Sequence, residues 1–114
     1  MEKEILKELA ACPVETTLTL ISDKWKVLIL RDLMLGTKRF GELKKSIGHV
    51  TQKVLTAQLR QMEESGLLTR KVYAEVPPRV EYTLTELGYS LKPVLDAMWA
   101  WGEGYKSKLE GKAE

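Results

Sequence analysis

At Leu67 the apolar period of this chain changes from helical to strand-like, and that switch narrows the folds open to it. Upstream, apolar side chains recur every three or four residues. Downstream, Leu68, Val72 and Ala74, then Val80, Tyr82 and Leu84, alternate with polar neighbours as strands do. Between them Glu75 to Arg79, with Pro77 and Pro78 adjacent, reads as the bend of a hairpin. Helices must therefore supply the layer on which a small two-stranded ribbon is packed, and the expected class is mainly α with a small β-hairpin wing.

The helical part divides at its caps and breakers. Glu2 to Ala11 places Ile5, Leu6, Leu9 and Ala10 on one stripe. Pro13 suits the first turn of a helix running to Ile21, with Val14, Leu18 and Ile21 inward. Ser22 and Asp23 are N-cap residues for Lys24 to Leu35, in which Trp25, Leu28, Ile29, Leu33 and Met34 recur at helical spacing and Gly36 supplies the stop. After an extended Lys38 to Phe40, the run Gly41 to Ile47 makes two turns that bury Phe40, Leu43 and Ile47. Gly48, His49 and Val50 form a turn. Thr51 caps Gln52 to Ser65, whose Leu55, Leu59 and Met62 face the core, and Gly66 ends it. After the hairpin, Thr85 caps a closing helix from Glu86 to about Leu109 that Pro93 kinks or splits. Two short helices directly before a hairpin make the winged helix-turn-helix plan.

With 114 residues, one fold is expected over 1–114, with a core at about 13–85 and flanking helices at about 2–11 and 86–109. The longest apolar runs, Val27 to Leu30 and Ala97 to Trp101, fall far short of the roughly 20 residues a spanning helix needs. No membrane partner is expected. The acidic residues Glu2, Glu4 and Glu8 argue against a secretory leader, so a cytoplasmic location is expected. The single cysteine, Cys12, excludes an internal disulfide, and the lone His49 has no evident metal partner, so no metal or other cofactor is expected. Nor does a lone Cys with a lone His, without a glycine-rich phosphate loop, make a recognisable catalytic motif; the chain does not read as an enzyme.

Net charge is only +2, but it is unevenly placed. Between Lys38 and Arg60, six basic residues stand against Glu42 alone, a net of +5, so the rest of the chain sums to −3. Such a basic segment suits a surface that displaces counterions from DNA, although a solvated lysine face has the same composition. The helix after Thr51 sharpens the choice, because a recognition helix must bury one face and present long donors on the other. Opposite its apolar stripe stand Lys53, Thr56, Ala57 and Arg60, with Thr51 and Gln52 at its start. Gln52, Lys53, Thr56 and Arg60 are the expected base readers, with Thr51 and the free N–H groups on a phosphate. Lys38, Arg39, Lys44 and Lys45 would hold the DNA backbone. In the wing, Arg70, Lys71 and Arg79 are candidates, Arg79 for a narrow minor groove, against the opposing charge of Glu75 and Glu81. A winged-helix module that binds proteins instead of DNA fits the same hairpin and core.

Particular segments resemble the HxlR-type winged helix-turn-helix regulators of bacteria, relatives of the MarR group. They are Cys12-Pro13-Val14-Glu15, Leu20-Ile21, Lys24-Trp25-Lys26, Arg39-Phe40-Gly41-Glu42-Leu43, Lys53-Val54-Leu55-Thr56, Leu59-Arg60, Glu63 and Gly66-Leu67. More specific still are Tyr73, Val76-Pro77-Pro78-Arg79-Val80-Glu81-Tyr82, Leu84-Thr85 and Gly88. Met62 departs from the family's usual leucine while conserving apolar volume. The resemblance implies a homodimeric transcription factor contacting double-stranded DNA through the helix after Thr51 and the wing. It also implies a candidate sensor, since several members sense oxidants or electrophiles through a cysteine placed as Cys12 is.

The residues bear on both implications. A thiol before Pro13 at a helix start is favoured as thiolate by the helix dipole, while Glu15 opposes this, and a small buried interface residue is the alternative. Without a second cysteine, oxidation would join two subunits, capture a small thiol or proceed to the sulfenic acid and beyond. The closing helix carries Val94, Leu95, Met98, Trp99, Trp101 and Tyr105, more apolar surface than so short a chain easily hides, and Leu6 and Leu9 are expected to join them in a dimer interface. Ordinary core packing of these aromatics is the other reading.

Overall fold

The computed structural model describes residues 12–113. The segment Glu2 to Ala11, with Leu6 and Leu9, lies outside them. The elements run α1 (Pro13–Ile21), α2 (Lys24–Leu33), β1 (Lys38–Arg39), α3 (Phe40–Ile47), α4 (Gln52–Glu64), β2 (Leu68–Tyr73), β3 (Arg79–Leu84), α5 (Glu86–Tyr89) and α6 (Lys92–Ala113).

Each helix starts where a side chain replaces a missing backbone partner. Asp23 Oδ1 accepts from Trp25 N at 2.7 Å, so Asp23 and not Ser22 caps α2. The Thr51 hydroxyl accepts from Val54 N at 3.1 Å at the start of α4. Helix α3 begins one residue earlier than the sequence reading, at Phe40, because Glu42 Oε1 reaches back to accept from Arg39 N at 2.8 Å. Helix α2 ends at Leu33 rather than Leu35, whose side chain is 81% exposed. Helix α4 closes one residue before Ser65, and Gly66 follows with φ +81°, a backbone geometry that a Cβ disfavours.

The wing is part of a three-stranded antiparallel sheet, not a free two-stranded ribbon. Its order is β1-β3-β2, with Lys38 opposite Tyr82 and Arg39 opposite Glu81. Two residues carry no periodicity of their own, so only the pairing partner reveals β1. In the hairpin Leu68 opposes Leu84, Arg70 opposes Tyr82 and Tyr73 opposes Arg79.

The core draws Ile29, Leu30 and Leu33 from α2, Leu43 from α3, Leu55, Leu59 and Met62 from α4, and Leu67, Leu68, Tyr82 and Leu84 from the wing base. Each fully buried side chain of this size contributes about 1.5–3 kcal/mol. That burial holds α4 rigidly along one face. Val72 and Ala74, expected inward by alternation, are exposed, because the hairpin projects beyond the helices that cover its base. On α1 only Ile21 is buried; Val14 and Leu18 are exposed, and no described residue covers them enough to make them core.

The closing helix is split, as Pro93 suggested: α5 ends at Tyr89 and α6 starts at Lys92. Three contacts seat α5 on the end of α4. The Thr85 hydroxyl donates to Gly66 O at 2.6 Å and accepts from Gly88 N at 3.1 Å, while Thr85 N donates to Leu67 O at 3.0 Å. Gly88 sits so close that a Cβ there would collide with the Leu67 carbonyl oxygen. Beyond this seat, Leu91 and Leu95 pack against the core and the rest of α6 stands away from it. The radius of gyration, 16.4 Å, accordingly exceeds the roughly 13 Å of a compact chain of this length.

Candidate nucleic-acid interface

The outer face of α4 and the wing enclose a cleft of about 270 Å³ lined by Phe40, Gln52, Thr56, Arg60, Glu63, Arg70 and Tyr82. Three predicted readers, Gln52, Thr56 and Arg60, therefore share one concavity with the wing residue Arg70. Lys53 and Ala57 lie on the adjoining flank of the helix, in a shallow depression with Gln52, Thr56 and Arg60. Thr51, Gln52, Lys53, Thr56, Ala57 and Arg60 are all exposed. Glu63 was not singled out from the sequence, yet it follows Gln52, Thr56 and Arg60 at helical spacing. Extending that stripe by one turn would have found it.

The basic residues differ in what neutralises them. Among the described residues, ion pairs engage Arg31, Arg79 and Lys92, whereas Lys38, Arg39, Lys44, Lys45, Lys53, Arg60, Arg70 and Lys71 have no carboxylate within ion-pair distance. The first group is structural: Arg31 pairs with buried Asp32 at 3.0 Å and Lys92 with Asp96 at 2.7 Å along α6. The second leaves its charge available to phosphates. Lys44 and Lys45 also occupy the last turn of α3, where cations complement the helix dipole. Lys38 and Lys45 border a separate depression with Asp32, Glu42 and Ser46, outside the α4 cleft.

Arg79 departs from its expected place. Instead of projecting from the tip, its guanidinium lies 3.8 Å from the centre of the Tyr73 ring, with Nη2 3.2 Å from Glu75 and Nε 3.9 Å from Glu81. Strand alternation puts Arg79, Glu81, Lys71 and Tyr73 on one face of the hairpin, and Arg70 on the other, with Tyr82, towards the cleft. Lys71 Nζ lies 4.8 Å from the same Tyr73 ring.

A second link ties α4 to the start of α2. Gln58 Nε2 donates to Asp23 Oδ2 at 3.3 Å while the other oxygen of Asp23 caps α2. One carboxylate thus anchors both helices. Sequence inspection assigned Asp23 only as a cap, since a partner 35 residues away leaves no local signal.

Cys12 is exposed and stands at the N-cap of α1. The backbone N–H of Glu15, and then that of Val14, favour the thiolate and hold the thiol below its ordinary range, outweighing a small opposing effect of desolvation. On α6, Met98, Trp99, Trp101 and Tyr105 are exposed, Trp101 and Tyr105 stacked at 5.4 Å, while Val94 is at the margin of exposure. Leu95, expected with them, turns instead to the core. Among the described residues no helix is long and apolar enough to cross a membrane, and no cluster of three or more metal-binding side chains occurs.

A helical core carrying a buried-backed outer helix and a three-stranded wing defines a winged helix-turn-helix protein. Residues 20–110 match the model of the HxlR-like helix-turn-helix family, and the chain belongs to that family. It is 50% identical over 99 residues, 87% of this chain and 77% of the relative, to the uncharacterized HTH-type transcriptional regulator YdeP of Bacillus subtilis. Among solved structures it is similar to the redox regulator HypR in its reduced form, with TM-score 0.82 and 44% identity over 88% of this chain and 99% of that one. The reduced form of the transcriptional regulator YodB from B. subtilis gives 0.72 and 38%, covering 82% and 93%.

Proposed function

We propose that this chain is a transcriptional regulator that binds double-stranded DNA sequence-specifically as a homodimer, one α4 in each of two successive major grooves of a palindromic operator. The observation that carries this is the cleft in which Gln52, Thr56 and Arg60 face Arg70, both arginines free of carboxylate partners. Arg60 and Gln52 suit guanine and adenine edges, Thr56 and Ala57 suit a thymine methyl, and Lys53 flanks them. Thr51 and the first N–H groups of α4 take a phosphate, with Lys38, Arg39, Lys44, Lys45 and Lys71 along the backbone. The exposed aromatic face of α6, joined by Leu6 and Leu9, is the proposed dimer surface, and a two-fold pairing would set the two readers about 34–36 Å apart.

Cys12 is the proposed sensor: it is exposed, its thiolate is favoured, and similar proteins include ones named as redox regulators. As the chain's single cysteine, it would respond by joining two subunits or by taking up a small thiol. The protein would act in the cytoplasm without a cofactor.

The test is a gel shift on the DNA upstream of its own gene, at several salt concentrations, against a scrambled duplex of equal length. Preference for the natural DNA by about 10³ or more supports a specific regulator. Equal, salt-labile binding to both duplexes rejects it in favour of a protein-binding module.

A further inference from the structure

Arg79 is the one wing cation whose charge is already spoken for, and its surroundings assign it a different task from its neighbours. It is clasped from three sides: the Tyr73 ring beneath it at 3.8 Å, Glu75 at 3.2 Å from the bend, and Glu81 at 3.9 Å along its own strand. Only 27% of the side chain is exposed, and Nε is buried without a hydrogen-bond partner. What holds it is therefore the flat stacking of guanidinium on ring together with two carboxylates, an arrangement that suits arginine's plane and not lysine's point charge. Tyr73 and Arg79 are the last paired residues before the bend, so this clasp closes the open end of the hairpin where no helix covers it.

We propose that Arg79 is a positioning residue rather than a DNA contact: its guanidinium clamps the wing tip and thereby holds Arg70 and Lys71 where a duplex meets them. Arg70 lies in the α4 cleft two residues beyond Val72, and Lys71 rests on the same Tyr73 ring as Arg79. Loosening the ring therefore releases both. Glu75 and Glu81, which weaken the electrostatic case for the wing as a reader, become parts of the clamp. This rests on the DNA-binding reading above only for what the clamp serves, not for whether it exists.

Four variants of the full-length protein test it: Arg79→Lys, Arg79→Gln, Tyr73→Leu and Tyr73→Phe, each checked by far-UV circular dichroism for retention of the helical core. In the free protein, amide hydrogen exchange at residues 72–75 and 79–81 is expected to rise about tenfold in the first three and to stay at the wild-type rate in Tyr73→Phe, which keeps the ring face. Unchanged exchange in Arg79→Lys and Arg79→Gln overturns the clamp whatever the protein binds. On the upstream duplex, Arg79→Lys is expected to weaken binding as much as Arg79→Gln, about tenfold, with the dependence of log K on log salt unaltered. The Tyr73→Leu, Arg79→Gln pair together should be no worse than either alone. If Arg79→Lys binds like the wild type while Arg79→Gln lowers the salt slope by about 0.9, Arg79 touches a phosphate and the proposal fails. Failure of the wild type itself to prefer its upstream DNA rejects the regulator reading, and the exchange measurement then decides the clamp alone.

Discussion

Replacing Thr85 by valine should separate the end of the recognition helix from the helix that follows the wing. Valine keeps the shape of threonine but removes the hydroxyl that donates to Gly66 O at 2.6 Å and accepts from Gly88 N at 3.1 Å. A neutral hydrogen bond of this kind contributes about 0.5–1.5 kcal/mol net, and loss of an N-cap costs about 1 kcal/mol, so the pair is worth about 2 kcal/mol. The third contact, Thr85 N to Leu67 O, is backbone and survives. For 114 residues the entropy of unfolding is about 0.24 kcal/mol/K near 60 °C, which converts that loss into a fall in Tm of about 8 °C. The assay is thermal denaturation followed by far-UV circular dichroism at one fixed protein concentration, since a dimer's Tm depends on concentration. Thr85→Ser, which restores the hydroxyl, should recover most of the difference. A fall of less than about 2 °C for Thr85→Val would refute the assignment of the hydroxyl as the clasp.

Three further outcomes follow from the site. Arg60→Ala should weaken binding to the upstream duplex by about 1–3 kcal/mol and relax base preference at one position per half-site; a uniform loss across all duplexes in a competition assay would make Arg60 a phosphate contact. Trp101→Asp places a charge on the aromatic face of α6 and should convert the dimer to monomer by sedimentation at micromolar concentration, with the Trp101–Tyr105 stack lost; an unchanged dimer would move the interface elsewhere. Because the folded state lowers the Cys12 pKa, more thiolate is present at neutral pH than on a free cysteine. The pH profile of iodoacetamide labelling should therefore have its midpoint below that of an unstructured peptide containing the same residues, and coincident midpoints would remove the basis for its reactivity.

Helix periodicity made most of the core readable. Leu55, Leu59 and Met62 on α4 and Leu43 on α3 are buried where their spacing placed them, because each of these helices packs one stripe against a neighbour. Helix α2 is enclosed more widely, so Leu30 and even Asp32 are buried although neither lies on the stripe that Trp25, Leu28 and Ile29 begin. Val50, read as a turn residue, is also core, for a turn carries no period to mark its inward side. The same limit applies to the site. The residues on α4 follow from its buried face, and Glu63 was within reach of the same reasoning. The pairing of Arg79 with Tyr73 depends on strand register, which the prolines at the bend leave open, and Asp23 with Gln58 depends on how two helices cross. Alternation failed at Val72 because it reports a sheet face, not whether anything lies over it.

The seat formed by Thr85, Gly88 and Leu67 also makes α6 a lever. Its 22 residues extend about 33 Å from a fulcrum built directly on the last turn of the recognition helix. In the proposed dimer, the far arms of two such levers are gripped by each other. A swing of about 10° at the fulcrum would move the far end by about 6 Å, and conversely a modest rearrangement where the arms meet would re-aim the short end. Mechanical advantage of that sort lets a small chemical event between subunits alter the span between two reading heads without disturbing the core that holds either of them.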